Sequence, residues 1–585
     1  MRYLAEHPII DFYVIKEGEI AFANLISLLI KSDLDVEAIR TQLPSVHSIG
    51  KDGTAHLNGE AARLKNLTEI PSPYLDGRMD EFFDGRLMPI LQTNRGCPFS
   101  CTFCVEGRSY YNKIYKNDSE KVTTEIDYIA RHMAALREQK GRNDFCIADS
   151  NFGMFKTDLE TCGAIAKAQK EHGWPDYIIV ATGKNQKARV LEAASLVNGA
   201  MRISGSVQSL DEDVLSNVKR SNISADGLLD LALSAQNIGL NSYSEIILAL
   251  PGDTKAKHYD TLKKIIDAGF SYVTTYQLMM LPGTDLCTDD MKERFHMVLR
   301  YRILPRCYAR YQILGEQVSV AEIEEICVAN NSLSLEDYVE CRMMSLVITI
   351  FHNDGVFGAL LKYLRNAGLS VYRWMELIQH SVKSGALGKL FEQYKKDTVT
   401  ELWSDRAALE KFITEPQVID QFLDGSLGNN LLFVYKSRAV TLHVTELAEL
   451  ARETFVQLLT EQNVLSPEAE EFVSNAVSYH SARMMHLFRE RDRAVRRTFR
   501  YDIRAFDKEL RPGSIAKFRL ENEVEARFEL TLAQRELIER NLAVWGDNAI
   551  GIGRVLSRVY VGRLLRNAVY DQSEAIVEDR VPVNQ

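Results

Sequence analysis

The chain has 585 residues, 46% hydrophobic and 26% charged, with neither Gly nor Pro dominant, a composition that supports a sizeable buried core in about two or three domains. Its formal charge of -10 argues against a general polyanion-binding role. No apolar run approaches the length of a membrane span, and the opening "MRYLAEHPIIDFYVIKEGE" is polar where a secretory leader would be apolar, so a cytoplasmic protein without membrane attachment is expected.

In chain order, "DFYVIKEGE" followed by "IAFANLISLLI" reads as one strand, a tight turn and one helix, too little for an independent domain. "EIPSPYLDG" (69–77) reads as an extended connector, because Pro71 and Pro73 disfavour helix. From residue 86 onward, short β-branched runs recur: "RLMPILQT" (86–93), "DFCIAD" (144–149), "YIIVAT" (177–182), "MRISGSV" (201–207), "YSEIILAL" (243–250) and "YVTTYQL" (272–278). Helical patterns separate them; in "SEKVTTEIDYIARHMAALREQ", Val122, Ile126, Ile129 and Met133 recur at helical spacing. Strands alternating with helices predict an α/β fold with a parallel sheet. Six such units suit an open (β/α)6 barrel, with a doubly wound sheet as the competing topology.

In either arrangement ligands bind at the carboxyl ends of the strands. Those ends carry a cysteine-rich loop, "DSNFG", "TGKN", "SVQS" and "LPGDT", which predicts one shared site. Beyond about residue 310 strand signals fade. "SVAEIEEICVANNSLSLEDYVECRMMSLVITIF" and "SPEAEEFVSNAVSYHSARMMHLFRERDRAVRRTF" predict a mostly helical C-terminal region, with late strands around "FRYDIRAF" and "AKFRLENEVEARFELT". The basic run "RERDRAVRR" (489–497) reads as a solvated helix face rather than a nucleic-acid surface.

Nine cysteines are too few for a disulfide scaffold, yet three fall together in "GCPFSCTFC". The spacing is Cys97-x-x-x-Cys101-x-x-Cys104, and no other Cys or His follows up to residue 124. Cys146, Cys162, Cys287, Cys307, Cys327 and Cys341 are scattered, and most of them read as small buried hydrophobes. A structural zinc site closes its shell with four protein ligands. Three thiolates on one loop instead suit an iron–sulfur cube with one iron left open to a ligand. A structural zinc or redox knuckle is the plainer alternative.

The loop, with Phe103 before its third cysteine, resembles the Cys-x-x-x-Cys-x-aromatic-Cys signature of the radical S-adenosylmethionine (radical SAM) enzymes. That resemblance implies a partial (β/α)6 barrel over residues 86–310, followed by a mostly helical domain over 311–585. It implies that Cys97, Cys101 and Cys104 hold a [4Fe–4S] cluster whose open iron chelates SAM. One-electron reduction would then cleave SAM to methionine and a 5′-deoxyadenosyl radical. Asp149 and Asn151 stand where many members carry a Gly-Gly-Glu-like element for the SAM amino group; otherwise they would cap the following helix. Ser206, Gln208 and Ser209 fall at the place of ribose or carboxylate contacts, or serve as turn and cap residues. Glu245, within an apolar run, needs a partner, with Lys184, Arg202 or a cofactor group as the candidates. Gly252 would let the backbone approach adenine closely. Gln277 is a weaker candidate on the substrate side.

The N-terminal text also resembles the end of a cobalamin-binding domain, as found before the barrel in a subfamily that includes methyltransferases and relatives of the anaerobic magnesium-protoporphyrin ester cyclase. Residues 1–85 would then be its remnant plus connector. The subfamily's Asp-x-His-x-x-Gly element is missing, since none of the twelve histidines has Asp two residues before it. Either the start is internal or this branch has lost the full domain, which counts against tight cobalamin binding by this chain alone. The stretch "YRILPRCYARYQILGE" and its sequel resemble the helical continuation of uncharacterised subfamily members, whereas methylthiotransferases end in a small β-rich domain. The leading expectation is a radical SAM enzyme acting on a small-molecule substrate with an external electron donor such as flavodoxin or ferredoxin. Its rivals are a cobalamin-dependent methyltransferase and a non-catalytic iron–sulfur scaffold or electron carrier.

Overall fold

A computed structural model describes residues 2–137, 142–183, 185–221, 225–237, 242–559 and 561–570. Lys184, one of the groups expected beside Glu245, lies outside them. The chain divides into two compact units, one of Met1–Leu87, Gln92–Arg95 and Ile114–Arg142, the other of Met88–Leu91, Gly96–Lys113 and Asn143–Gln585.

In the first unit, strands Tyr13–Val14, Val46–Ile49 and Ala55–Leu57 form an antiparallel sheet in chain order. Helix Glu19–Lys31 buries Ala21 and Leu25 in a small core with Ile39, Leu43 and Val46. The single strand expected here therefore has two companions. Each is only a few residues long, and the turn between them is built by Asp52, whose carboxylate accepts from the Thr54 N–H at 2.9 Å. The predicted helix is present as Ser119–Arg137, with Val122, Ile126, Ile129 and Met133 all buried. It pins the proline-containing connector through Lys121 Nζ, which donates to the Ile70 carbonyl at 2.6 Å.

The second unit carries six parallel strands in chain order: β1 (Ile90–Leu91), β2 (Asp144–Phe152), β3 (Tyr177–Thr182), β4 (Ile203–Ser204), β5 (Ser242–Leu248) and β6 (Tyr272–Met279). Among the described residues they form two sheets, β1-β2-β3 and β4-β5-β6, linked by one isolated parallel bridge, Ile178 to Met201, with no closed barrel. Along β5 the alternation is regular: Ser242, Ser244, Ile246 and Leu248 are buried under the helices, while Tyr243, Glu245 and Ile247 on the other face are half-buried.

Two further strands, β7 (Val298–Ile313) and β8 (Glu316–Ala329), extend this sheet, β8 pairing antiparallel with β6 and with β7. Residues 319–329 were expected to be helical, and this is a correction. Leu314 (φ 50°) and Gly315 (φ 87°) make a two-residue left-handed turn, the hairpin geometry that matches strand twist. Pairing of Ile326 and Cys327 with Met279 and Leu278 overrides the helix-like spacing of the apolar residues. The helix resumes at Leu335–Phe351, capped by Ser334.

The remaining chain is mostly helical, and one apolar core runs from Val207, Ile246 and Val273 under the sheet to Trp374, Phe455 and Phe528. Asn353 joins the two layers: its side-chain amide accepts from the Val273 N–H and donates to the Val273 carbonyl, both at 2.9 Å. Late strands appear as expected, Val495–Tyr501 and Arg519–Glu529, joined by Asn567–Tyr570. The basic run 489–497 is not a helix; it is a turn leading into strand Val495–Tyr501. Its arginines meet acids on the neighbouring strand and turn, Arg496 with Glu525 at 2.7 Å and Arg493 with Glu490 at 2.8 Å. Among the described residues, no single helix is long and apolar enough to cross a membrane.

Candidate functional site

The cysteine loop leaves the end of β1 and is folded back by its own backbone. Cys97 N–H donates to the Tyr111 carbonyl at 2.9 Å, Cys104 to Cys101 at 3.2 Å and Gly107 to Cys104 at 3.0 Å. Two glycines permit this. Gly96 sits at φ 114°, and a Cβ on Gly107 would run into the Cys101 carbonyl. Neighbouring elements hold the loop from outside: Thr102 N–H donates to Val218 at 3.0 Å, and its carbonyl accepts from Leu286 at 2.9 Å. Cys101 is buried, while Cys97 and Cys104 are half-buried. Burial pushes the Cys104 thiol up, and nearby Glu106, Cys97 and Cys101 add to this by like-charge repulsion. A bound metal would reverse that tendency by taking the sulfurs as thiolates.

β2 delivers Asp149 and Asn151 on one buried face of the strand. The Asn151 amide donates to Cys97 Sγ at 3.3 Å, so it faces the cysteine loop. The following helix is capped instead by Asp158, whose carboxylate accepts from the N–H groups of Gly153 and Phe155. Ser150, pointing the other way, bonds to Glu106.

The end of the fourth strand meets β5 and β6 in a polar row. Ser206 Oγ donates to Glu245 Oε2 at 2.8 Å and lies 2.7 Å from Ser204 Oγ. Tyr276 OH, from β6, reaches the other Glu245 oxygen at 3.4 Å. Glu245 thus has hydroxyl partners rather than the expected Arg202, whose guanidinium lies over the Tyr177 ring at 5.5 Å. Gln208 stitches its loop to β5 through backbone bonds to Glu245 (2.9 Å) and Ile247 (3.0 Å), and its buried Oε1 has no hydrogen-bond partner among the described residues.

Ser209 is buried, and its hydroxyl accepts from the Asp211 N–H at 3.2 Å, a turn role just before helix Glu212–Asn217. Gly252, at φ 83°, is approached by the Asn217 side chain, whose Nδ2 would lie 2.6 Å from an added Cβ. Gln277 bonds to Tyr338 of the helical layer.

Sequence reading missed Arg220, which follows the short helix after β4 and is 9% exposed. Its guanidinium lies 3.6 Å from Cys101 Sγ and over the Phe103 ring at 5.8 Å. Burial holds its basicity below the ordinary value, while the Cys101 sulfur beside it pulls the other way. In "NVKRSN" it is one charge among several at a helix end, so no periodicity marks it. The donor set is therefore three thiols on one tight loop, with an amide and a buried cation aimed at two of the sulfurs. That set suits an anionic metal–sulfur group at the carboxyl end of a parallel sheet.

The family profile described as the radical SAM superfamily matches residues 91–265, the span from the cysteine loop to the helix after β5. Over that segment the chain is similar to the radical SAM superfamily. The cobalamin-dependent radical SAM methyltransferase TokK of Streptomyces tokunonensis is 31% identical over 392 residues, 65% of this chain and 54% of that protein. The 2-(S-pantetheinyl)-carbapenam-3-carboxylate methyltransferase of Streptantibioticus cattleyicolor is 30% identical, over 62% of this chain and 52% of its own length. The chain thus spans about half the length of the curated relatives it matches. The solved structure of the cobalamin-dependent S-adenosylmethionine radical enzyme OxsB aligns with a TM-score of 0.41 and 15% identity, covering 83% of this chain and 69% of that one.

Proposed function

We propose that this chain is a cobalamin-dependent radical SAM methyltransferase acting on a small molecule. The observation that carries the radical SAM part is the three-thiol loop, backed by a buried guanidinium, at the end of the first parallel strand. The methyl-transfer part is supported by the two methyltransferase relatives, which match about two thirds of the chain at 31% and 30% identity. They favour this reading over the broader expectation of an unspecified radical reaction.

Cys97, Cys101 and Cys104 hold the [4Fe–4S] cluster in this reading. Bound there, the cluster supplies the single electron that cleaves SAM reductively. Asp149, buried on β2, offers an anionic acceptor for the SAM ammonium. Ser206 and Glu245, with the free carbonyl oxygen of Gln208, form the polar row for ribose or substrate hydroxyls on the half-buried face of β5. The parallel strands, curved as a partial (β/α)6 barrel over residues 86–310, keep water and free thiols from that face, and the mostly helical region that begins at Leu335 covers the sheet's other layer. Residues 1–85 are the end of a cobalamin-binding domain, and an external donor such as flavodoxin or ferredoxin provides electrons.

The test is anaerobic. The protein is reconstituted with iron and sulfide, with and without cobalamin, then given SAM and a reductant. Formation of 5′-deoxyadenosine together with cobalamin-dependent S-adenosylhomocysteine is expected. Deoxyadenosine alone, with cobalamin present, would overturn methyl transfer in favour of another radical reaction. A cluster yielding neither product, with substrate or partner supplied, would favour the scaffold reading.

A further inference from the structure

We infer that Arg220 and Asn151 set the reduction potential of the cluster by donating hydrogen bonds to two of its three protein sulfurs, Cys101 and Cys97. The inference rests on the cluster assignment proposed above and extends it to residues outside the ligand set.

The geometry of Arg220 is that of a fixed cation. Nε donates to the Val207 carbonyl at 3.2 Å and Nη2 to the Ser206 carbonyl at 2.6 Å, so the loop after β4 grips two edges of the guanidinium. The third edge, Nη1, is thereby aimed at Cys101 Sγ, 3.6 Å away, and Phe103 covers one flat side. With 9% of the residue exposed, solvent screens this charge weakly. Asn151 approaches from β2, its Nδ2 at 3.3 Å from Cys97 Sγ and the residue 5% exposed. Strand β2 and the segment after helix Glu212–Asn217 thus each give one donor to a different sulfur.

The physical consequence has a definite sign. Reduction adds one negative charge to an iron–sulfur group, and a donor or cation at the ligand sulfur stabilises the more negative state. Each sulfur that accepts a hydrogen bond also donates less electron density to its iron. Both residues therefore raise the potential. They are positioning residues for charge rather than catalytic ones.

The experiment compares reconstituted wild type with Arg220→Gln, Arg220→Met, Asn151→Ala and the pair Arg220→Gln/Asn151→Ala. Midpoints are read by anaerobic dye-mediated titration with EPR detection of the reduced cluster, in the absence of SAM. At a fixed potential, Arg220→Met is expected to lower the reduced-to-oxidised ratio about tenfold, equivalent to about 59 mV for a one-electron couple. Arg220→Gln, which keeps a donor and loses the charge, falls between that and wild type. Asn151→Ala lowers the ratio about threefold, and the pair adds, because the two donors serve different sulfurs.

A cluster present in all variants at the wild-type midpoint would overturn the inference. So would reduced iron content with an unmoved midpoint, which would mean that the residues only brace the loop. If Arg220→Met fails to fold, Arg220→Gln and Asn151→Ala decide alone. Failure of the underlying assignment reads differently, as wild-type protein that takes up no cluster and gives no EPR signal.

Discussion

The cysteine loop and the helical core of the C-terminal half are built by different means. The loop is a backbone construction: its shape comes from N–H to carbonyl bonds among Cys97, Cys101, Cys104, Gly107 and Tyr111, and from glycines where a side chain would collide. The helical core is a side-chain construction. Trp374 is fully buried, donates its indole N–H to Thr454 Oγ1 at 3.0 Å, and meets Phe455 edge-on at 5.3 Å between ring centres. One region depends on the identity of a few atoms, and the other on the volume filled by many. The two should therefore fail separately, chemistry without unfolding in the first and unfolding without a chemical defect in the second.

The largest break in that comparison is Cys101→Ala. Iron uptake and 5′-deoxyadenosine formation should both drop to background, while the unfolding transition followed by circular dichroism stays in place. A variant that still forms deoxyadenosine would remove Cys101 from the ligand set. On the other side, Trp374→Ala should cost about 3–5 kcal/mol in urea unfolding, from lost burial and the cavity left behind. Any of the variant that remains folded should take up iron as wild type does.

Acid should also act on the helical side. Burial lowers His352 and His480 to about 4, and His480 Nε2 accepts from the Ala359 N–H at 3.0 Å, which requires the neutral ring. Between that value and the ordinary histidine value of about 6.5, the unfolded chain binds protons that the folded chain refuses. Stability contributed by the neutral rings is complete above about pH 6.5 and is lost as pH falls toward 4, by about 3 kcal/mol per histidine. Unfolding free energies that stay level from pH 7 to 4.5 would contradict this. The smallest effect is Gly107→Ala, where crowding against the Cys101 carbonyl costs roughly 1–3 kcal/mol locally. It should weaken iron uptake by roughly tenfold and leave the helical transition unmoved, measured by iron titration and circular dichroism.

The same contrast governs how much could be read in advance. Strands β2, β3, β5 and β6 stand where their β-branched runs end in polar text, and the cysteine loop is legible because ligand spacing is local along the chain. Residues that act across the fold were not legible. Arg220 reaches Cys101 from 119 positions away, and nothing in its neighbours signals that reach. The hairpin β7–β8 was misread because Ile323, Ile326 and Cys327 repeat at helical spacing, while the deciding feature is the Leu314-Gly315 turn. Glu245 was expected to pair with Lys184, Arg202 or a cofactor group, whereas its partners among the described residues are hydroxyls, because which groups reach it depends on which strands lie beside it.

Asn353 carries a consequence for how the sheet ends. A strand whose outer flank is bare presents unpaired N–H and carbonyl groups. By satisfying both backbone groups of Val273, the Asn353 amide occupies that flank as a stand-in for a neighbouring strand, at a point beyond the reach of β8. A single side chain thereby finishes the sheet inside the core, where Val273 and Asn353 are both buried.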